Sequence, residues 1–374
     1  MRFWGITGTN GKTTTAWVFA AFVNACPGRR CGSITTVEAN TGTRAFYTGY
    51  TTPPLDRLRE IYAEMERNGC TDCVMEVSSH AIHQRRTGDT VFSGGAFTNL
   101  SEDHLDYHKT MEEYFRVKRS FADWMRECYV VCLDGGCGRE MYESCRALPV
   151  RVIPVSAADP SHGFDLAGLK LAGDYNRSNV VTAAVLAEAA GVPHDVIQSV
   201  IPTLEPRWGR LEPVANPQVR AKVYVDFAHT PDGLEKVLTA ARGFTPANGR
   251  LWVVFGAGGD RDPMKRPLMG AACARLADRL VVTSDNPRSE DPVEIIRQIL
   301  AGVGAERADG PSVTVEPDRR LAIAAALAEA GPDDVVIVAG KGHETTQEIK
   351  GVKYPFDDRE VVRTIRFQDY GKER

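Results

Sequence analysis

At 374 residues, with 43% hydrophobic and 25% charged side chains, the chain has an ordinary globular composition and length for about two domains. Its net charge of −4 gives no electrostatic footing for nucleic acid or an acidic membrane, so neither is expected as a partner. The apolar run Ala16–Val23 is too short to span a bilayer, and no basic segment precedes a cleavable apolar core, so neither a membrane span nor a secretory signal is expected.

The first predicted strand, Arg2–Ile6, runs into Gly5-Ile6-Thr7-Gly8-Thr9-Asn10-Gly11-Lys12-Thr13-Thr14, and a helix is predicted over Lys12–Asn24. Strand, glycine-rich turn and helix start together make a phosphate-binding loop. Glycines let backbone N–H groups approach phosphate oxygens, and the helix start adds oriented donors and partial positive charge. Gly8, Thr9, Asn10, Gly11, Lys12, Thr13 and Thr14 are the expected nucleotide-binding residues, with Lys12 on the β/γ-phosphates and Thr13 on magnesium. The loop departs from a strict Walker A pattern, which has glycine where Ile6 stands.

A helix is predicted over Leu55–Gly69 and a strand over Cys73–Val77. The nine cysteines are scattered, and Cys70-Thr71-Asp72-Cys73 lacks a second pair at zinc spacing. They read as packing thiols of a reducing, cytoplasmic compartment. Glu76, at the carboxyl end of that strand, is placed either to hold magnesium or to cap a helix. A strand over Gly94–Phe97 leads to Asp103-His104-Leu105-Asp106, where His104 reads as a metal ligand or as a turn cap. Further elements are a helix over Met111–Trp124, carrying Lys118, a strand over Tyr129–Leu133 and a helix over Asn179–Ala190. Asn176 and Asn179 at that helix start read as N-caps or as contacts to an adenine edge.

Prolines cluster around Trp208-Gly209-Arg210, and the domain boundary is expected within Pro202–Pro213. Beyond it a second alternation runs Lys222–Asp226, Pro231–Arg242, Leu251–Phe255, Lys265–Ala277, Arg279–Thr283, Pro292–Ala301, Arg319–Ala330 and Val335–Ala339. The fold class is α/β: a P-loop ATPase domain on a parallel sheet with helices on both faces, then a Rossmann-like α/β domain. In the second domain Asp226-Phe227-Ala228-His229, Gly256–Asp262, Asp285-Asn286-Pro287-Arg288 and Gly340–Glu344 all leave apolar strands. Their Arg261, Arg288 and Glu344 suit a zwitterion or dicarboxylate, because Arg forks pair with carboxylates and Glu takes an ammonium.

Taken together the motifs resemble the Mur ligase family, most closely the MurE type that adds the third amino acid to UDP-N-acetylmuramoyl-L-alanyl-D-glutamate in peptidoglycan synthesis. The resemblance spans Gly5 to Val362, through TGTNGKTTT, YTTPPL, MEVSSHAIHQRR, FTNLSEDHLDYHKTMEEYFRVK, GDYNRSN, WGRLE, VDFAHTPDGLEK, FGAGGDRDPMKRPLMG, SDNPRSEDP and AGKGHETTQ with YPFDDREV. It implies a central ATP-binding domain over residues 1–206 and an amino-acid-binding C-terminal domain over 207–374. It also implies ATP and Mg2+ as cofactors. ATP would convert a carboxylate to an acyl phosphate, and an amine would displace the phosphate.

By that resemblance Thr13, Glu76, His104 and Lys118 serve the metal, Lys118 as a carbamylated lysine. Lys12, Glu76, His104 and Lys118 are the catalytic set, and Asn179, Arg210, Asp226 and His229 join the loop in holding nucleotide. Thr51, Thr52, Ser79, Gln84 and Arg86 match contacts to a muramyl-peptide donor. Arg261, Asp285, Asn286, Pro287, Arg288, Gly340 and Glu344 match contacts to meso-diaminopimelate, Arg288 taking the distal carboxylate that lysine lacks. Full members also carry an N-terminal domain that binds the uridine diphosphate, and the chain starts on the strand before the phosphate loop. Three readings of that departure stand: a shortened cell-wall ligase, a ligase helped by a separate donor-presenting protein, or a stand-alone relative with another carboxylate donor. A non-catalytic ATP-binding partner is the alternative from a different class.

Overall fold

The computed structural model describes residues 1–304 and 310–366. The chain divides into two compact units, Met1–Glu205 and a second that starts at Pro206.

In the first unit the strands are β1 (Arg2–Thr7), β2 (Cys31–Ile34), β3 (Ala39–Asn40), β4 (Ala45–Phe46), β5 (Asp72–Glu76), β6 (Phe92–Phe97), β7 (Met125–Cys132) and β8 (Arg151–Val155). They form one sheet in the order β4-β3-β2-β5-β1-β6-β7-β8. Its helices are α1 (Lys12–Ala25), α2 (Leu55–Arg67), α3 (Ser79–His83), α4 (Leu105–His108), α5 (Met111–Ser120), α6 (Gly138–Cys145), α7 (Asp174–Ala189) and α8 (His194–Val200). β5 is buried throughout and β1 from Trp4 onward, as strands covered on both faces must be. β1 lies between β5 and β6 with Ile6 opposite Glu76 and Thr7 opposite Phe97. The phosphate loop, Glu76 and Thr98-Asn99 therefore leave three neighbouring parallel strands at the same edge, where α/β sheets carry their ligands.

Strands β2, β5, β1, β6, β7 and β8 run parallel, as expected, and a short antiparallel edge is added to them. β3 pairs antiparallel with both β2 and β4. These two-residue strands are too short to leave an alternating pattern in the sequence. Phe121–Trp124, expected as the last turn of a helix, is a separate 3-10 turn, and β7 begins at Met125 rather than Tyr129. α7 begins at Asp174, just after Gly173, whose φ of 90° breaks the preceding backbone.

The second unit has β9 (Glu212–Pro213), β10 (Lys222–Asp226), β11 (Leu251–Phe255), β12 (Arg279–Val282), β13 (Ser312–Val315) and β14 (Val335–Ala339), in the order β13-β12-β11-β14-β10-β9. β9 alone of these runs antiparallel, against β10. A hairpin of β15 (Thr346–Ile349) and β16 (Val352–Pro355) stands apart from the sheet. The helices are α9 (Pro231–Phe244), α10 (Lys265–Leu276), α11 (Pro292–Val303), α12 (Arg319–Glu329) and α13 (Asp358–Thr364). Arg319 at the start of α12 is fully buried, and its fork meets both oxygens of Asp358 on α13 at 2.8 and 2.7 Å. It also donates to the Ala339 carbonyl at the end of β14, so one bidentate pair fixes the exit of β14, where Gly340 follows.

Candidate active site

The phosphate loop is held by the exit of β6. The Thr9 N–H donates to the Asn99 carbonyl at 2.9 Å, and the Asn10 N–H to Asn99 Oδ1 at 3.0 Å. In return Thr98 Oγ1 and Asn99 Nδ2 donate to the Asn10 carbonyl at 2.6 and 3.0 Å. Two loop glycines leave no room for a side chain without strain. Gly8 has φ +149°, and a Cβ there would lie 1.9 Å from Thr98 Oγ1; Gly11 has φ +83°, and its Cβ would lie 2.3 Å from Asn179 Oδ1. Gly11 also leaves α1 with no side-chain cap and no acid in its first turn. The helix N-terminus thus keeps its positive end for an anion. Lys12 curls back so that Nζ donates to the Gly8 and Thr9 carbonyls at 3.0 and 2.7 Å.

Glu76 is the hub beside the loop. Its Oε1 accepts from Thr13 Oγ1 at 2.7 Å and from the Thr36 N–H at 2.9 Å, and its Oε2 accepts from Thr36 Oγ1 at 3.1 Å. Thr36 Oγ1 and Thr51 Oγ1 share a hydrogen bond of 3.0 Å, in which Thr51 donates once Thr36 has given its proton to Glu76. Thr52 Oγ1 donates to the Glu76 carbonyl and receives the Ser78 N–H. Among the described residues no group of three or more His, Cys, Asp or Glu side chains is spaced to hold a metal ion. The Thr13–Glu76 pair nevertheless fits magnesium, which takes one or two protein oxygens and fills its octahedron with phosphate and water.

Lys118 lies beneath the loop and is 1% exposed. Its Nζ donates to the Gly8 carbonyl at 2.8 Å and stands 4.8 Å from the centre of the Tyr114 ring. Burial, reinforced by the charge of Lys12, holds its ammonium well below the ordinary lysine value. His104 adopts the left-handed backbone, φ 56°, with Nε2 3.5 Å from Asp103 Oδ2 and its ring 5.0 Å from that of His80. Desolvation lowers its imidazole to about 4 against the pull of Asp103, so it is neutral at pH 7 and able to offer a lone pair.

Around α3 the donor-site candidates divide. Arg86 Nε donates to Gln84 Oε1 at 2.8 Å, and Arg86 Nη1 reaches the Thr52 carbonyl at 3.4 Å. Gln84 Nε2 donates to Tyr107 Oη at 3.1 Å, and His83 Nδ1 shares that hydroxyl at 2.8 Å. Ser79 is turned inward: it is 1% exposed, and its hydroxyl meets His108 Nε2 at 2.8 Å. Ser79 is one of the expected substrate contacts. The half-buried hydroxyl beside Thr52 belongs to Ser78, the N-cap of α3.

Asn176 and Asn179 lie on one side of α7, with Asn179 against Gly11. In the second unit Asp226 ends β10. Its Oδ2 accepts the Leu211 N–H at 2.6 Å and its Oδ1 the Ala228 N–H at 2.7 Å, which ties the Trp208–Leu211 turn to the strand exit. Burial raises its carboxyl above the ordinary value while Arg210 opposes the rise. The Arg210 guanidinium lies 4.5 Å from the centre of the Phe227 ring, and His229 Nδ1 donates to the Phe227 carbonyl at 2.7 Å.

The residues assigned to the amino acid cluster at three strand exits of the same unit. The Gly259 N–H donates to the Asn286 carbonyl, which braces Pro287. Arg288 has φ +51°; its Nη1 donates to the Gly259 carbonyl at 2.7 Å, and its Nε stands 3.5 Å from Glu348 Oε2. Asn286 Nδ2 donates to Glu344 Oε2 at 2.9 Å. Asp285 is buried against Gly340, where a Cβ would lie 2.4 Å from Asp285 Oδ2. Arg261 is the outlier: it is exposed, and among the described residues its hydrogen bond is from Nη1 to the Asp260 carbonyl.

Sequence reasoning passed over Thr36, Tyr107, His108 and Lys341. Thr36 lies in no motif, and its role follows from the turn after β2. Lys341 stands inside the quoted GKGHE segment, and its position between two glycines at a strand exit was the available signal.

The chain matches the Mur ligase middle domain over residues 6–187 and the Mur ligase, glutamate ligase domain over residues 209–342. It is 37% identical to a UDP-N-acetylmuramoyl-L-alanyl-D-glutamate–2,6-diaminopimelate ligase of Cytophaga hutchinsonii, over 98% of this chain and 77% of that protein. It is 40% identical to the ligase of the same name from Chromobacterium violaceum, over 96% and 76%. A solved structure with that name superposes with a TM-score of 0.62 at 31% identity, covering 97% of this chain and 77% of the other. Folylpolyglutamate synthase of Mycobacterium tuberculosis, complexed with ADP and AMPPCP, shares the fold at 19% identity and a TM-score of 0.65, over 91% and 88%.

Proposed function

Because the chain belongs to the Mur ligase family, we propose that it joins meso-diaminopimelate to the D-glutamyl carboxylate of UDP-N-acetylmuramoyl-L-alanyl-D-glutamate. It is an ATP-dependent ligase that forms an amide bond. The observation that carries the acceptor assignment is Arg288, offered at a strand exit with Asn286 and Glu344 as a paired cationic and anionic recognition element. Lysine carries no second carboxylate for Arg288, so the site discriminates by a charge-assisted pair.

An ionised carboxylate is a poor electrophile, and the reaction overcomes this by phosphoryl transfer from ATP to one carboxylate oxygen. The acceptor amine then attacks the acyl carbon, phosphate leaves and the amine loses a proton. The loop N–H groups and Lys12 hold the phosphates in line. Thr13 and Glu76 would hold magnesium, which supplies charge neutralisation on the phosphates. Thr36 and Thr51 keep the Glu76 carboxylate from rotating away.

Burial destabilises the Lys118 ammonium beside the Gly8 carbonyl and so favours the free amine. A free amine adds to carbon dioxide and loses a proton, and the resulting carbamate would put an anion near the metal. Thr51, Thr52, Ser79, Gln84 and Arg86 would face the donor, with the Ser78 hydroxyl beside Thr52. Phosphate release in the presence of ATP and magnesium tests the proposal. It should require both the muramyl dipeptide and meso-diaminopimelate, and lysine should replace diaminopimelate poorly. Equal rates with the two amino acids contradict the acceptor assignment.

A further inference from the structure

Lys341 follows Gly340 at the exit of β14 and is 0% exposed. A buried ammonium needs partners that offset its lost hydration. It has two: Nζ donates to Glu344 Oε2 at 2.9 Å and to Asn286 Oδ1 at 3.1 Å. Asn286 Oδ1 also receives the Glu348 N–H at 3.0 Å. Both partners of that oxygen are donors, so the Asn286 amide has one orientation and its Nδ2 must face an acceptor. That acceptor is Glu344 Oε2 at 2.9 Å. One Glu344 oxygen thus takes two hydrogen bonds from the protein, while Oε1 has no hydrogen-bond partner among the described residues and the side chain is 32% exposed.

We propose that Lys341 is a positioning residue for the amino-acid acceptor, which commits Glu344 Oε2 to the protein and presents Oε1 to the acceptor's ammonium. The same triangle fixes Asn286, the residue two before Arg288, so the anionic and cationic halves of the recognition element are set by one buried charge. Without that charge Glu344 is free to rotate, and Oε1 is no longer held towards the acceptor's ammonium. The inference rests on the acceptor assignment made above and deepens it.

The test is Lys341→Met in the full chain, with steady-state rates measured against meso-diaminopimelate and against ATP. The KM for diaminopimelate should rise roughly tenfold or more, while kcat and the KM for ATP stay within about threefold. In a Glu344→Gln background the same substitution should add little further to the diaminopimelate KM, because the oxygen it positions is already gone. Lys341→Gln, which keeps a donor without the charge, carries the same comparison if the Met variant does not accumulate folded. An unchanged diaminopimelate KM, an equal rise for ATP, or full additivity with Glu344→Gln overturns the inference alone. Wild-type protein with no diaminopimelate-dependent turnover overturns the acceptor assignment, and this inference with it.

Discussion

Thr13 and Glu76, sixty-three positions apart, share a hydrogen bond of 2.7 Å between the first turn of α1 and the end of β5. The register of β1 on β5 sets Ile6 opposite Glu76, so the carboxylate is delivered beside the loop by strand pairing alone. Glu76→Gln keeps the shape but turns an amide N–H2 towards donors, at a cost of about 1–3 kcal/mol. We expect turnover to fall at least roughly a hundredfold, with a raised magnesium requirement. A magnesium titration of phosphate release checks this, and an unshifted midpoint with normal rates contradicts the hub role of Glu76.

Gly11→Ala places a methyl group against Asn179 at a backbone φ of +83°. The strain and the clash both act where the nucleotide phosphates should sit. ATP affinity should drop by more than about tenfold while meso-diaminopimelate binding is retained. Calorimetric titration with each ligand separates the two effects.

Lys118→Ala should abolish turnover, and short carboxylic acids such as acetate should restore part of it by standing in for a carbamate. Full activity of the variant without additives counts against any modified lysine. The buried, destabilised ammonium is the structural reason to expect a reactive amine here.

Arg288→Ala should weaken meso-diaminopimelate by about 2–5 kcal/mol and leave ATP unaffected. Comparable losses for both ligands, read from their KM values, would argue that Arg288 maintains the fold of the turn instead.

Asp334 gives a pH-dependent prediction for the second unit. Burial raises its carboxyl, but the Gly331 and Arg250 N–H groups, the Arg250 fork and Trp252 Nε1 overcome this and bring it down to about 2. A depressed carboxylate adds stability above its unfolded value, near 4, and that contribution fades as pH falls towards 2. Asp334→Asn should therefore destabilise at pH 7 by about 1–2 kcal/mol, after allowance for the half-exposed Arg250. The gap to wild type should narrow below about pH 4. Urea unfolding at pH 7 and pH 3 measures it.

Much of the architecture was legible because β1, β5, β10, β11 and β14 are short apolar runs followed by glycine, acid or imidazole, a pattern that marks both strand and site. What stayed hidden lacks a local signature. β3 and β4 are two residues each, and Thr36 gains its role only because the turn after β2 lies beside Glu76. Lys118 reads as a solvated helix lysine in sequence; only the resemblance singled it out, and only folding buries it. Ser78 and Ser79 are adjacent, and which one faces outward depends on where α3 begins, since the N-cap stays at the surface and the next residue turns onto His108. Asp285, Asn286 and Arg288 were found as a motif, whereas Lys341, the buried ammonium that holds Asn286, is defined by a contact 55 positions away.

The most direct measurement is the mass of the product formed from ATP, meso-diaminopimelate and UDP-N-acetylmuramoyl-L-alanyl-D-glutamate. The account predicts the muramyl tripeptide, extended by one diaminopimelate residue, with one phosphate released per bond formed. ATP hydrolysis without a new amide bond, or a product carrying a different amino acid in competition, would contradict it.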